Sequence, residues 1–232
     1  MDTRHPDWEE GVVLWGLTDE NTDEEIAVKA FDLVHEVRWI STATVNEGQP
    51  ENRIIDYSLL SDGNIYFMTS KGKPFYKQLT ARPEIVLNAL IDGLSALKLR
   101  AIVEEIPASE TAIWDEFFEF NPGTKKMYRK NFDIVAVFKL VKGEGEMFHL
   151  YAEEKIRRLR FAFGGMEKLP MNHTITDACT GCGSCMENCV EEAIYKGEDG
   201  KCHIRYMDCN DCGICYTKCP LAGTAMISRL AD

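Results

Sequence analysis

The sequence predicts a mainly β fold with added α-helices: a small antiparallel barrel followed by a compact cysteine-rich domain. Three observations predict it. Apolar residues recur with a period of two in short runs divided by Gly-, Asn- and Asp-bearing turns. Strands do not alternate with helices, which argues against a doubly wound parallel sheet. All nine cysteines fall between Cys179 and Cys219, so the chain divides into a cysteine-free and a cysteine-rich part. A length of 232 residues suits two modest domains, since domains commonly run to about 100–200 residues.

Thr22 and Glu25 stand in capping-box spacing, and Ile26, Ala30, Leu33, Val34 and Val37 follow on one face, which predicts an amphipathic helix over 22–38. The period then shifts to two. WISTATV, a turn at NEGQP, NRIIDYSLL, a tight SDGN turn and IYFMTS read as three successive antiparallel strands. A short helix, PFYKQLTA, leads into the strands EIVLNALI and ALKLRAIVEEI, with a turn at DGLS between them. A helix begins at Ser109 (SETAIWDEFFEF), and DIVAVFKLV and EGEMFHLYA read as two closing strands. GEGEMF at 143–148 lacks the third glycine of G-x-G-x-x-G and sits between strand-like runs, so a Rossmann-type nicotinamide site is not expected.

Composition narrows the function further. A net charge of −12 repels nucleic acid and anionic lipid. MDTRHPDWEE has neither a basic n-region nor an apolar h-region, and Asp92 and Gly93 interrupt the longest apolar stretch, so the expectation is a cytoplasmic protein with no membrane span. In such a compartment thiols stay reduced, and nine cysteines point to metal rather than to disulfides.

Cys179, Cys182, Cys185 and Cys189 form C-x2-C-x2-C-x3-C, and Cys209, Cys212, Cys215 and Cys219 repeat it. Structural zinc pairs two short knuckles across a long gap, because one tetrahedral ion takes two ligands from each. A thiolate at every third residue of one tight loop suits three corners of a [4Fe–4S] cube instead, with the fourth supplied from elsewhere. Gly183 and Gly213 suit close backbone approach to cluster sulfides, or a plain turn. Cys202, in the alternating stretch KCHIRYM, reads as a small buried residue rather than a ligand.

Residues 175–230, including AIYKGEDGKCHI between the runs, resemble the bacterial two-cluster ferredoxins, a small α+β fold. In that family the fourth cysteine of each run ligates the other cluster. The resemblance therefore implies one cluster on Cys179, Cys182, Cys185 and Cys219 and a second on Cys209, Cys212, Cys215 and Cys189. The second run ends in Cys219-Pro220 as the family does, whereas the first has Val190 where proline is usual.

Residues 25–163, above all ISTATVNEGQPENRIIDYSLLSDGNIYFMTSKGKPFYKQLTARPEIVL, resemble the pyridoxamine 5′-phosphate oxidase-related FMN-binding split barrels. The order of turn, Arg-bearing strand, tyrosine-rich strand, Lys-rich loop and QL-x-x-x-P carries the likeness. It implies an antiparallel split β-barrel, FMN in the interface of a homodimer, and a cofactor site using Arg53 for the phosphate, with Thr69 and Ser70 at the end of the next strand and Gln78 after the Lys-rich loop. Lys73 is the candidate loop lysine and Lys77 competes, because the family's lysine lies nearer Gln78, where this chain has Phe75. Lys71, Lys73, Lys77 and Arg82 concentrate positive charge suited to a dianionic phosphate. Trp39, Trp114, Tyr66 and Phe67 read as core aromatics rather than flavin contacts. His149 reads as structural, His173 as a solvated linker residue, and no histidine stands out as a haem ligand.

The expected domains are 1–165 for the barrel with its N-terminal helix, 166–174 for a linker and 175–232 for the ferredoxin-like part. The expected function is an FMN- and iron–sulfur-dependent oxidoreductase passing electrons between two [4Fe–4S] clusters and a flavin, to or from a small molecule. It is not a true pyridoxamine 5′-phosphate oxidase, whose Arg- and His-containing tail is missing, and the sequence names no catalytic residue. The alternatives are a non-catalytic electron-transfer module for a partner protein, or the deazaflavin F420 in place of FMN.

Overall fold

In the computed structural model the described residues are 16–18, 20–91, 95–149 and 157–230. The predicted DGLS turn and the end of the predicted EGEMFHLYA strand fall largely outside them. Helix α1 (Asp23–Val37) opens with the predicted capping box: Thr22 Oγ1 accepts from the Glu25 N–H, and the Glu25 carboxylate accepts from the Thr22 N–H at 2.8 Å. Its buried face carries Ile26, Ala30, Leu33 and Val34.

Strands β1 (Trp39–Asn46), β2 (Gln49–Leu59) and β3 (Ile65–Ser70) follow as an antiparallel meander, with Thr42 opposite Arg53 and Tyr57 opposite Phe67. Helix α2 (Pro74–Ala81) leads into β4 (Glu84–Leu90) and β5 (Ser95–Glu105), which pair antiparallel. Helices α3 (Thr111–Phe120) and α4 (Pro122–Tyr128) precede β6 (Val135–His149) and β7 (Arg157–Phe163). Strand order is β3-β2-β1-β4-β5-β6-β7, and a further β3–β6 pairing closes the first six into a ring. The result is a closed six-stranded antiparallel barrel with a few helices, the architecture the sequence predicts for its first part. Tyr57, Phe67, Leu87 and Leu99 fill its interior with no exposed surface, while Tyr66 and Val137, on the opposite face, are buried against Phe117 and Phe118 of α3.

Two expectations need correction here. The predicted pair DIVAVFKLV and EGEMFHLYA is one 15-residue strand, β6, running through Gly143 and Gly145. A Cβ on Gly145 would lie 2.6 Å from the Phe161 ring, and one on Gly143 would lie 2.5 Å from the Arg100 carbonyl oxygen. These glycines keep the strand continuous where β5 and aromatic rings of β7 press on it. Strand β7 itself was not expected, because Arg157, Arg158 and Arg160 mask the alternation of Leu159, Phe161 and Phe163. Trp39 is the second correction: it is 68% exposed rather than a core aromatic, because Ile40, Thr42 and Thr44 take the inward positions of β1. Tyr66 and Phe67 are core, and Trp114 is half-buried.

Contacts divide the described residues into two compact units, one of 20–91, 95–147 and 160–168, the other of 16–18, 148–149, 157–159 and 169–230. In the second, β8 (His173–Ile175) pairs with β11 (Met226–Ser228), and β9 (Ile194–Lys196) with β10 (Cys202–Ile204). The short helices α5 (Ser184–Glu187) and α6 (Ile214–Lys218) start at Gly183 and Gly213, whose φ of 85° and 78° favour glycine. No helix among the described residues is long and apolar enough to cross a membrane.

Candidate functional site

In the barrel, alternation along β2 turns Glu51, Arg53, Ile55 and Tyr57 away from the outer face that Asn52 and Ile54 occupy. Arg53 thereby reaches Thr44 of β1 and Gln78 of α2. Its Nη1 donates to Thr44 Oγ1 at 2.5 Å, and its Nη2 donates to Gln78 Oε1 and Glu51 Oε2, each at 3.0 Å. Thr44 Oγ1 also donates to Gln78 Oε1 at 2.6 Å, and Gln78 Nε2 donates to Glu51 Oε2 at 2.7 Å. The Gln78 amide, then that of Asn46, holds the Glu51 carboxyl below its usual range, with Arg53 adding to the effect.

Of the six predicted cofactor-binding residues, Arg53 and Gln78 are in direct contact. Thr69 is buried in β3 and Ser70 half-buried at its end, while Lys73 and Lys77 are exposed. Sequence reasoning missed Glu51 and Thr44. Their signal was spacing alone: Glu51 precedes Arg53 by two on one strand face, and Thr44 lies on the paired strand.

A cavity of about 740 Å³ lies beside the loop after β3. Trp114, Phe118 and Phe132 give it aromatic walls, and Lys71 and Glu105 line it together. The Lys71–Glu105 pair is 3.9 Å apart, and the Tyr76 hydroxyl donates to Glu105 at 3.0 Å. The i, i+4 spacing of Trp114 and Phe118 on α3 was its only trace in the sequence.

In the second unit the two cysteine runs fold alike. Cys182 and Cys212 are exposed, Cys185 and Cys215 buried, and the remaining four of the repeats half-buried. One cavity is lined by Cys179, Cys182, Cys185 and Cys219, the other by Cys189, Cys209, Cys212 and Cys215. Each thus draws three thiols from one run and the last thiol from the other. Among the described residues no three His, Cys, Asp or Glu side chains converge on a single-ion position.

Backbone N–H groups already address these sulfurs. Gly181 and Cys202 donate to Cys179 Sγ, each at 3.4 Å, and Asp211 donates to Cys209 Sγ at 3.3 Å. Burial acts upward on Cys179, but the N–H groups of Cys202 and Gly181 outweigh it and hold the thiol below its ordinary pKa. Burial pushes Cys185 up to about 12 and Cys215 up to about 11, with neighbouring thiols adding to both. The donor set therefore fits a polynuclear iron group: four soft ligands around a cavity, with N–H donors ready for thiolate charge.

Cys202 is 1% exposed, as expected, and lines the first thiol cavity without belonging to either repeat. His149 is buried as expected. His173 is a correction. It is 6% exposed rather than solvated, because β8–β11 pairing carries it into the wall of the second thiol cavity.

No protein-family profile matches the chain. Among solved structures, a NimC/NimA family protein from Clostridium acetobutylicum is 21% identical, with 58% of this chain and 91% of that one covered at a TM-score of 0.50, which shows a shared barrel fold. PhzG from Burkholderia lata 383, in complex with tetrahydrophenazine-1-carboxylic acid, is 13% identical over 65% of this chain and 94% of that one, at a TM-score of 0.49. Ferredoxin-1 of Caulobacter vibrioides is 38% identical over 53 residues, 22% of this chain and 46% of that protein, so the chain spans about half of that relative's length. At 38% identity over 64 residues, 24% of its own length and 84% of the relative's, the chain belongs to the family of the uncharacterized protein in the rpl9-rpl11 intergenic region of Porphyra purpurea.

Proposed function

We propose that the chain is an FMN- and iron–sulfur-dependent oxidoreductase whose second unit holds two [4Fe–4S] clusters. One observation carries the reading: the eight repeat cysteines divide into two fours, and each four crosses between the runs. A flavin exchanges one or two electrons and each cluster one, so the pair joins a two-electron couple to one-electron transfer.

The chain's own residues have defined tasks in this reading. The Arg53 fork, fixed by Thr44 and Gln78, holds the flavin phosphate by charge-assisted hydrogen bonds. One of the two exposed lysines, Lys73 or Lys77, adds a cation there. The N–H groups of Gly181, Cys202 and Asp211 stabilise thiolate sulfur. The cavity beside Lys71 accepts the small molecule; about 740 Å³ lies within the usual ligand-pocket range.

The working form in this proposal is a homodimer formed through the barrel. Its support is an exposed apolar face: Trp39 at 68%, Ile54 at 63% and Leu90 at 64% share the outer side of β2, β1 and β4. Register places Ile54 opposite Ser41 and Ser41 opposite Asn88, so the three side chains are near neighbours.

The test is an absorption spectrum of protein purified without oxygen, with iron and sulfide counts and the mass of the extracted flavin. Expected are both flavin and iron–sulfur absorption, and the mass of FMN rather than F420. Protein that carries neither chromophore after anaerobic reconstitution overturns the reading.

A further inference from the structure

Each thiol cavity has four repeat cysteines, the first has Cys202 besides, and they differ in their polar lining. Around the first stand Ile175, Pro220, Leu221, Ala225 and Met226, an apolar wall. Around the second stand His173, Glu191 and Asn210. Asn210 is committed, its Nδ2 donating to Glu191 at 2.9 Å and its Oδ1 accepting from the Cys212 N–H at 3.0 Å. His173 is not committed at Nδ1, which is buried and has no hydrogen-bond partner among the described residues.

An unanswered buried ring nitrogen has lost its water without gaining a bond, so such an atom calls for a partner. The ring is held in place through its other nitrogen. A Cβ on Gly213 would lie 2.9 Å from His173 Nε2, so the ring packs directly on the backbone between Cys212 and Ile214. Tyr216 backs it at a centroid distance of 6.4 Å. Only glycine at 213 admits the ring so close to the loop that bears Cys212 and Cys215.

We propose that His173 is the hydrogen-bond donor to the iron–sulfur group of the second cavity and raises that group's midpoint potential, leaving the first unaffected. This rests on the cluster reading above. A neutral imidazole carries one N–H, and on Nδ1 it is a donor that the protein itself leaves without an acceptor. Sulfur in an iron–sulfur group accepts such bonds, and hydrogen bonds to sulfur are among the factors that set these potentials. One-electron reduction adds negative charge to the group, so the donor stabilises the reduced form more than the oxidised one. Glu191 opposes this by its charge, but it remains in every variant compared. The chain thereby tunes one of two otherwise matched sites, using a residue that lies ahead of both cysteine runs.

The experiment is a mediated reductive titration of the full chain with dithionite, followed by the magnetic resonance of the reduced clusters and by iron content. Wild type, His173→Phe and His173→Asn are compared, and Cys209→Ala identifies which signal belongs to the second site. Expected is a shift to more negative potential of the second signal alone in His173→Phe, with full iron content, and partial recovery in His173→Asn, which keeps an N–H donor. Unchanged potentials in a fully loaded His173→Phe overturn the inference, as does an equal shift of both signals. Loss of one cluster's iron from both His173 variants also overturns it, making the residue a ligand or a structural support. Absence of clusters from wild type itself would instead sink the cluster reading on which the inference stands.

Discussion

The guanidinium carbon of Arg53 lies 4.6 Å from the centre of the Phe75 ring. Phe75 stands close to where the resembling family keeps a lysine, so here an aromatic face supports the single cation of the polar cluster rather than a second cation joining it. Glu51 pairs with the same guanidinium at 3.0 Å. A phosphate arriving at Arg53 therefore meets one strong donor and one carboxylate.

Arg53→Ala is expected to weaken FMN binding about 10- to 100-fold, since a hydrogen bond to a charged group contributes about 1.5–3 kcal/mol. Excess FMN should restore both loading and melting temperature by ligand linkage. Glu51→Gln should do the reverse and tighten binding, because it removes a like charge while keeping an acceptor. Fluorescence titration of the flavin-free protein measures both, and unchanged affinity in Arg53→Ala would place the phosphate elsewhere.

Lys73 and Lys77 can be separated in the same assay. Lys73 is the N-cap of α2 and Lys77 lies one turn into it. The lysine that faces the phosphate should lose several-fold in affinity when changed to Ala, and its loss should flatten the salt dependence of binding. The other should behave as a solvated surface cation, with no change beyond scatter.

Cys219→Ala should remove the cluster begun by Cys179, Cys182 and Cys185, although Cys219 belongs to the second run. Cys202→Ala should retain all iron. Iron content and the magnetic spectra of the reduced clusters decide the matter. Loss of a cluster from Cys202→Ala together with full loading of Cys219→Ala would reassign the ligands.

Ile54→Lys should yield a monomer that no longer retains flavin. A lysine on the apolar face formed with Trp39 and Leu90 would be buried without a counter-charge on association, which costs several kcal/mol. Sedimentation of variant and wild type gives the answer. A wild-type monomer that keeps its flavin would refute the dimer.

Gly143→Ala should destabilise the barrel by about 1–3 kcal/mol, the usual cost of overpacking. The clash is with a backbone oxygen of β5, which cannot swing aside as a side chain can. Gly72→Ala is the control, since nothing lies within 4 Å of a Cβ there. Thermal unfolding of the two should differ clearly, with Gly72→Ala near wild type.

Much of the barrel was legible because its signals are local. The capping box of Thr22 and Glu25, the period-two runs and the tight turn at Ser61–Asn64 depend on neighbours along the chain, and each forms as read. Closure of the ring by β3 on β6 joins Ser70 to Val135, and no local pattern announces a partner that far away. The unity of β6 was hidden for a related reason: Gly143 and Gly145 look like a break until Arg100 and Phe161 are seen pressing on them. At the candidate sites, Arg53 and the cysteine spacings could be read directly, whereas Glu51 and His173 gain meaning only from what lies across a strand pair. His173 looked like a linker residue because its partner strand, Met226–Ser228, comes only after both cysteine runs.

That partnership bears on how such a chain can be taken apart. Ser228 sits opposite His173 and Met226 opposite Ile175, so the backbone enters and leaves the cysteine-bearing segment through adjacent strands, like a bag drawn shut at its neck. A segment with neighbouring ends can be lifted out, set into a loop of another protein or rejoined at new termini with little distortion of its host. The excision must include the neck. A fragment starting at Thr176 would leave β11 unpaired and discard a wall of the second thiol cavity, whereas one starting a few residues ahead of His173 would carry its own closure with it.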